Sequence, residues 1–97
     1  MIYKAEYHPR VKKDLKKIDH SIRNKIRTEC IPKILFDPEI GETLRGGLKN
    51  TRSYHFKITN QQFRIAYIID NAARKIFIQM IGTRGDFYTR LKRRILD

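Results

Sequence analysis

Between residues 54 and 81 the chain reads YHFKITNQQFRIAYIIDNAARKIFIQMI, and no other stretch limits the fold so tightly. Tyr54, Phe56 and Ile58 alternate with polar neighbours, and Phe63, Ile65 and Tyr67, then Ile76, Ile78 and Met80, recur at every second residue. A period of two is that of a strand with one buried face. A two-residue turn at Asn60-Gln61 pairs Tyr54 with Tyr67, Phe56 with Ile65 and Ile58 with Phe63. A four-residue loop at 71–74 then pairs Ile69 with Ile76, Tyr67 with Ile78 and Ile65 with Met80. The prediction is a three-stranded antiparallel meander with one continuous apolar face, which other elements must cover.

The N-terminal third supplies the cover. "IYKAEY" (2–7) alternates as a further strand and is broken by His8-Pro9. "RVKKDLKKI" spaces Val11, Leu15 and Ile18 as one face of a short basic helix, with Pro9 tolerable at its start. Ile22, Ile26, Cys30 and Ile34 recur every four residues, so 21–36 is expected to be a second helix, kinked near Thr28 by Pro32. "DPEIGETLRGGLKN" (37–50) reads as a loop. After Gly82, "TRGDFYTRLKRRILD" begins a last helix with Asp86 as N-cap and Phe87, Leu91 and Ile95 as its stripe. Ninety-seven residues hold one core. The expected class is α+β, one domain over 1–97. Its antiparallel sheet is an N-terminal strand plus the meander, covered by two N-terminal helices, with a short C-terminal helix.

Charge narrows the partners. Lys and Arg number 22 against 10 Asp and Glu, a net charge of +12, which attracts phosphate polyanions or an anionic membrane surface at long range. No apolar run approaches the roughly 20 residues that span a bilayer, and "MIYKAEYHPR" has no signal-peptide core; a cytoplasmic protein with no membrane partner is expected. The single Cys30, among Ile26, Ile31 and Ile34, reads as a small core residue.

The expected register sets Lys57 opposite Arg64 on the polar face, with His55 two residues along the same strand. Like charges directly opposite repel, and an anion between them, phosphate above all, would offset the repulsion; the bland alternative is a solvated basic face. Arg84 follows the third meander strand and Tyr88 falls in the first turn of the last helix, both within reach of that end of the sheet. Tyr88 is either a base candidate or an aromatic packed beside Phe87. Asp14, Asp19, Glu29, Glu39, Glu42, Asp70 and Asp86 are scattered, with no two paired for acid–base work or Mg²⁺, so no metal is expected. His8 and His20 read as turn residues. Ser21 and Ser53 lack a His–carboxylate pair, and Gly46-Gly47 alone is no phosphate loop. "RLKRRIL" places cations at a helix C-terminus, where the macrodipole favours them.

In this order and spacing, "LRGGLKNTRSYHFKI", "QQFRIAYIID" and "IFIQMIGTRGDFY" resemble the RelE/ParE toxin superfamily, closest to the RelE-like mRNA interferases, over nearly the whole chain. The resemblance implies the toxin of a type II toxin–antitoxin system, a metal-independent endoribonuclease that cleaves mRNA in the ribosomal A site. Its partners would be a cognate antitoxin and ribosome-bound mRNA, with no small-molecule cofactor. By motif position the family's basic strand residues fall on His55 and Lys57, its strand arginine on Arg64, its post-strand arginine on Arg84 and its helix tyrosine on Tyr88. Lys57, Arg64, Arg84 and Arg52 are the expected RNA contacts. His55 stands where relatives often carry Lys, and Phe63 where a "YRI" strand has tyrosine. With no protein nucleophile in sight, the RNA 2′-OH is the expected one. Tyr88 would be its base, Lys57 and Arg64 would stabilise charge, Arg84 would hold the phosphate and His55 would donate a proton. Two alternatives share much of this pattern: a ParE-like toxin directed at DNA gyrase, and a non-catalytic basic RNA-binding module.

Overall fold

A computed structural model describes residues 2–45, 48, 50–83 and 85–96. Strand β1 (Lys4–Tyr7) is followed by α1 (Val11–Lys16), then by α2 (His20–Lys25), a π-helical turn (Ile26–Cys30) and α3 (Ile31–Phe36) in unbroken succession. A 3₁₀ turn (Pro38–Ile40) leads to β2 (Glu42–Thr43). Strands β3 (Thr51–Ile58), β4 (Gln61–Asp70) and β5 (Lys75–Thr83) form the meander, and α4 (Phe87–Leu96) closes the chain. The single sheet has the order β1-β5-β4-β3-β2. The expected second helix is therefore three helical pieces, and the predicted kink near Thr28 is the π turn. Pro32 lacks an N–H, and the Ile31 N–H reaches back five residues to the Ile26 carbonyl, which widens the turn ahead of the proline.

Three expectations need correction. First, β1 pairs with β5 in parallel, Lys4 with Lys75 through Tyr7 with Ile78, so the sheet is mixed and the meander alone is antiparallel. Second, the β3–β4 register is displaced by two residues: Tyr54 faces Ile65, Phe56 faces Phe63 and Ile58 faces Gln61. The turn is Thr59-Asn60, both at positive φ (48° and 65°), the two-residue geometry that follows the strand twist. This register puts the Phe56 and Phe63 rings 5.5 Å apart, with Tyr54 stacked 5.8 Å behind Phe56; aromatic pairing decides the register. A shift of two keeps every face, but it sets His55 opposite Arg64 and Lys57 opposite Gln62.

Third, the β4–β5 ladder keeps the predicted pairs Ile69–Ile76 and Tyr67–Ile78, then slips by one between Tyr67 and Ala66, so that Met80 faces Ala66 and Ile81 faces Ile65. Gln79 is the extra residue of a β-bulge, which inverts the faces beyond it. Ile76, Ile78 and Ile81 thus join Val11, Ile22, Ile26, Ile34, Ile65 and Tyr67 in one core under α1–α3. Met80 turns to the opposite face, where Leu48, Ala66, Phe87 and Leu91 form a second, smaller core under α4.

The segment expected to be loop over 37–50 is pinned by Tyr67. Its buried hydroxyl donates to the Pro38 carbonyl (2.6 Å) and accepts from the Gly41 N–H (2.9 Å). A Cβ on Gly41 would lie 2.5 Å from that hydroxyl oxygen, so the approach needs glycine. The expectation for Gly46-Gly47 lies outside the described residues. Cys30 is buried in the main core, and desolvation pushes its thiol up to about 11, which leaves it a poor nucleophile at neutral pH.

Candidate active site

The register creates a cross-sheet row, His55 on β3, Arg64 on β4 and Gly82 on β5. All three are on the face that carries α4. The middle residue is a cation and the last has no side chain, so the first turn of α4 settles over Gly82, where a Cβ would lie 3.4 Å from the Phe87 ring. Phe87 and Leu91 are fully buried against Met80 and Ala66, which fixes the depth of the helix. Tyr88, the next residue, is thereby lowered beside the row. Its ring meets Phe87 edge-on at 5.5 Å.

Three functional groups converge there. The Arg64 guanidinium carbon lies 4.7 Å from the centre of the Tyr88 ring, and His55 Nε2 is 3.2 Å from the Tyr88 hydroxyl. Burial, and then the Arg64 charge, lower the pKa of His55 below its ordinary value, with Glu42 acting weakly the other way. The neutral ring is favoured at neutral pH. In its Nδ1–H tautomer Nε2 accepts a hydrogen bond from the phenol, and in its Nε2–H tautomer it donates one to the phenol oxygen. His55, expected as a proton donor, thus stands within hydrogen-bond distance of the Tyr88 hydroxyl. Lys57, exposed two residues further along β3, completes a shallow cleft of about 380 Å³ with His55, Phe56, Gln62, Phe63 and Arg64. Neither Arg64 nor Lys57 forms a salt bridge among the described residues.

Of the residues singled out from sequence, the fold therefore gathers His55, Lys57, Arg64 and Tyr88. Arg52 is not among them. It pairs with Tyr67 on the opposite face, where its guanidinium donates to the carbonyls of Gly41 (2.7 Å) and Glu39 (3.3 Å). Arg84 lies outside the described residues. Among the described residues no group of three or more His, Cys, Asp or Glu is placed to hold a metal ion, and no helix is long and apolar enough to cross a membrane.

One arrangement was not anticipated. Asp14, buried on α1, accepts both guanidinium nitrogens of Arg94 (2.7 and 2.9 Å) and the Ile81 N–H (3.1 Å), while Arg94 also donates to the Gln79 carbonyl (2.9 Å). Asp14 sits three residues after Val11 and four before Ile18, inside the apolar stripe of its helix. A carboxylate at such a position requires a cation and hydrogen-bond donors, and that spacing was the available signal.

The sequence family described as ParE-like toxin of type II bacterial toxin-antitoxin system matches residues 6–92. No curated protein matches the chain by sequence. Several solved structures share the fold. The RelBE2 toxin–antitoxin complex of Mycobacterium tuberculosis is 21% identical, with a TM-score of 0.77, over 87% of this chain and 100% of that one. A mutant of the Escherichia coli toxin RelE in the free state is 16% identical, with a TM-score of 0.75, over 99% and 96%. The archaeal RelE–RelB complex of Pyrococcus horikoshii is 20% identical, with a TM-score of 0.60, over 88% and 98%.

Proposed function

Because the chain belongs to the ParE-like toxins of type II bacterial toxin–antitoxin systems, we propose that it is a toxin that inhibits translation by cleaving mRNA on the ribosome, held in check by a cognate antitoxin. The observation that carries this reading is the convergence of His55, Arg64 and Tyr88 on one open sheet face, with Lys57 beside them. A phenol hydrogen-bonded to a neutral imidazole and overlaid by a guanidinium is a proton acceptor set next to an anion site. A merely solvated basic face has no use for the ordered tyrosine.

The RNA 2′-OH attacks the adjacent phosphorus. A new 2′-O–P bond forms as the bond to the 5′-oxygen breaks, leaving a 2′,3′-cyclic phosphate upstream and, once the departing oxygen takes a proton from solvent water, a 5′-hydroxyl downstream. The proton of the 2′-OH passes to the Tyr88–His55 pair, with His55 Nε2 as terminal acceptor. Arg64 and Lys57 offset the negative charge that builds on the phosphoryl oxygens, an electrostatic contribution that is commonly the largest in such reactions. Arg84 follows β5 directly in the chain and is assigned to the phosphate and the departing 5′-oxygen. Arginine is a poor acid at neutral pH, so its part is electrostatic. The ribosome supplies the orientation of the RNA that a shallow cleft does not. That solved structures sharing the fold include complexes of a RelE toxin with its antitoxin supports the antitoxin partner.

A second reading, inhibition of DNA gyrase, is favoured by the ParE-like description of the family. Programmed ribosomes incubated with the protein, mRNA ends mapped by primer extension, and a gyrase supercoiling assay run in parallel separate the two. Discrete cuts in ribosome-bound mRNA with unimpaired supercoiling are expected. Intact mRNA with blocked supercoiling would overturn the nuclease reading.

A further inference from the structure

We propose that the Asp14–Arg94 ion pair is a positioning device that holds the α4 helix in the rotation that presents Tyr88 to His55. The proposal rests on the nuclease reading for its kinetic consequence but not for its structural one.

The pair stands where a strand would otherwise be. β1 covers the outer edge of β5 only as far as Ile78, and just beyond it the Gln79 carbonyl and the Ile81 N–H take side-chain partners instead of a strand. Arg94 donates to the first and Asp14 accepts from the second, so two side chains, one from α1 and one from α4, continue the ladder. Their side chains are 8% and 12% exposed. Replacing either group leaves a buried backbone partner or a buried charge unmatched.

Helical geometry then links this end of α4 to the other. Tyr88 and Arg94 are six residues apart, which separates them by about 9 Å along the axis and about 120° around it. The buried positions Phe87 and Leu91 fall between them on the helix surface. The apolar stripe sets how deep α4 lies, but aliphatic and aromatic contacts alone resist rolling weakly, since they are not directional. Rolling in either direction drives one flank down and lifts the other. Arg94 is fixed on one flank by bonds to α1 and β5, and Tyr88 reaches β3 and β4 from the other. At the start of α4, Asp86 pairs with Arg90, an ion pair between neighbouring turns that does not reach α1 or the outer edge of β5.

The test uses Arg94→Lys and Asp14→Asn in the full chain. Lysine keeps a cation beside Asp14 but loses the fork that also holds Gln79. Asparagine keeps an acceptor for the Ile81 N–H but loses the charge. Two readouts are taken: the nuclear Overhauser contact between the Tyr88 and His55 rings, and kcat and KM for cleavage on programmed ribosomes. Expected for both variants is a cooperative thermal transition, loss of most of the ring contact, a kcat lower by about 10-fold or more, and a KM within about twofold of wild type, since a misplaced group costs the chemical step more than binding. A second measurement, made on Arg94→Lys where Asp14→Asn unfolds, is the His55 midpoint: in the wild-type chain Arg64 and Glu42 act on the partly buried ring from β4 and β2, Tyr88 faces it from α4, and Tyr88→Ala re-exposes it. The folded variant should shift the His55 midpoint toward that of Tyr88→Ala. An intact ring contact with an unshifted midpoint in a folded Arg94→Lys protein would overturn the proposal. If wild type fails to cleave, the nuclease reading falls while the ring contact still decides the latch.

Discussion

At one end of α4, Arg94 is enclosed with a bidentate carboxylate and a backbone carbonyl. At the other, Arg64 lies over the Tyr88 ring with no ion pair among the described residues. Arg94 belongs to that helix and Arg64 stacks on its first turn, and a carboxylate acts near each end, Asp14 on Arg94 and Glu42 on His55. The contrast separates two uses of a cation. Where it holds elements together it is matched and desolvated. Where it is stacked on a phenol and left unneutralised, it keeps its attraction for an incoming anion. In a chain of net charge +12, where few of the described cations form a salt bridge, it is the stacking on Tyr88 beside His55, and not the lack of an ion pair alone, that singles out Arg64.

The comparison breaks most visibly at Asp14. Asp14→Ala removes the partner of a nearly buried guanidinium and the acceptor of the Ile81 N–H, and should lower unfolding free energy by about 3–5 kcal/mol, read from urea denaturation. A loss under about 1 kcal/mol would mean that Arg94 is not matched in the sense described. Arg64→Ala should do the opposite, leaving the thermal midpoint within a few degrees while reducing cleavage by about 10²–10³, the range for deleting one transition-state donor. A folded variant that cleaves at the wild-type rate would remove Arg64 from the site.

A smaller effect sharpens the role of His55. Its pKa in the folded chain lies below the ordinary 6.5, so the native state binds fewer protons there than the unfolded chain does. The stability contributed is present above the ordinary value and is lost as pH falls through the lowered one. Cleavage that relies on a neutral acceptor should follow the same limb, steady at pH 7 and declining on the acid side below 6.5. His55→Gln should flatten that limb at a reduced rate. An acid limb unchanged in His55→Gln would place the proton elsewhere.

Much of this was legible in the sequence, for reasons that can be named. The alternation over 54–81 set strand identity, and the faces as far as Ile78, because a face survives any register shift of two. Register itself was not legible, since it depends on Phe56 stacking on Phe63 and on Asn60 and Thr59 accepting positive φ, which hydrophobic counting does not weigh. The bulge at Gln79 was hidden because the groups that stabilise it, Asp14 and Arg94, are 80 residues apart. His55, Lys57, Arg64 and Tyr88 were all legible as candidates. That His55 and not Lys57 faces Arg64, and that its ring is favoured neutral, required the fold. Arg52, expected among the RNA contacts, is at an even-numbered position of β3 and so falls on the face of Tyr54 and Phe56, away from His55.

The central claim is that the His55–Arg64–Tyr88 cluster promotes attack by the RNA's own 2′-OH. It is tested most directly by programming ribosomes with an mRNA that carries a single 2′-deoxy residue immediately before the cut. The ribo form should be cleaved to a 2′,3′-cyclic phosphate, or the 3′-phosphate from its hydrolysis, and a 5′-hydroxyl. The deoxy form should remain whole, because it differs only in the attacking group. Equal cleavage of the two substrates would contradict the account.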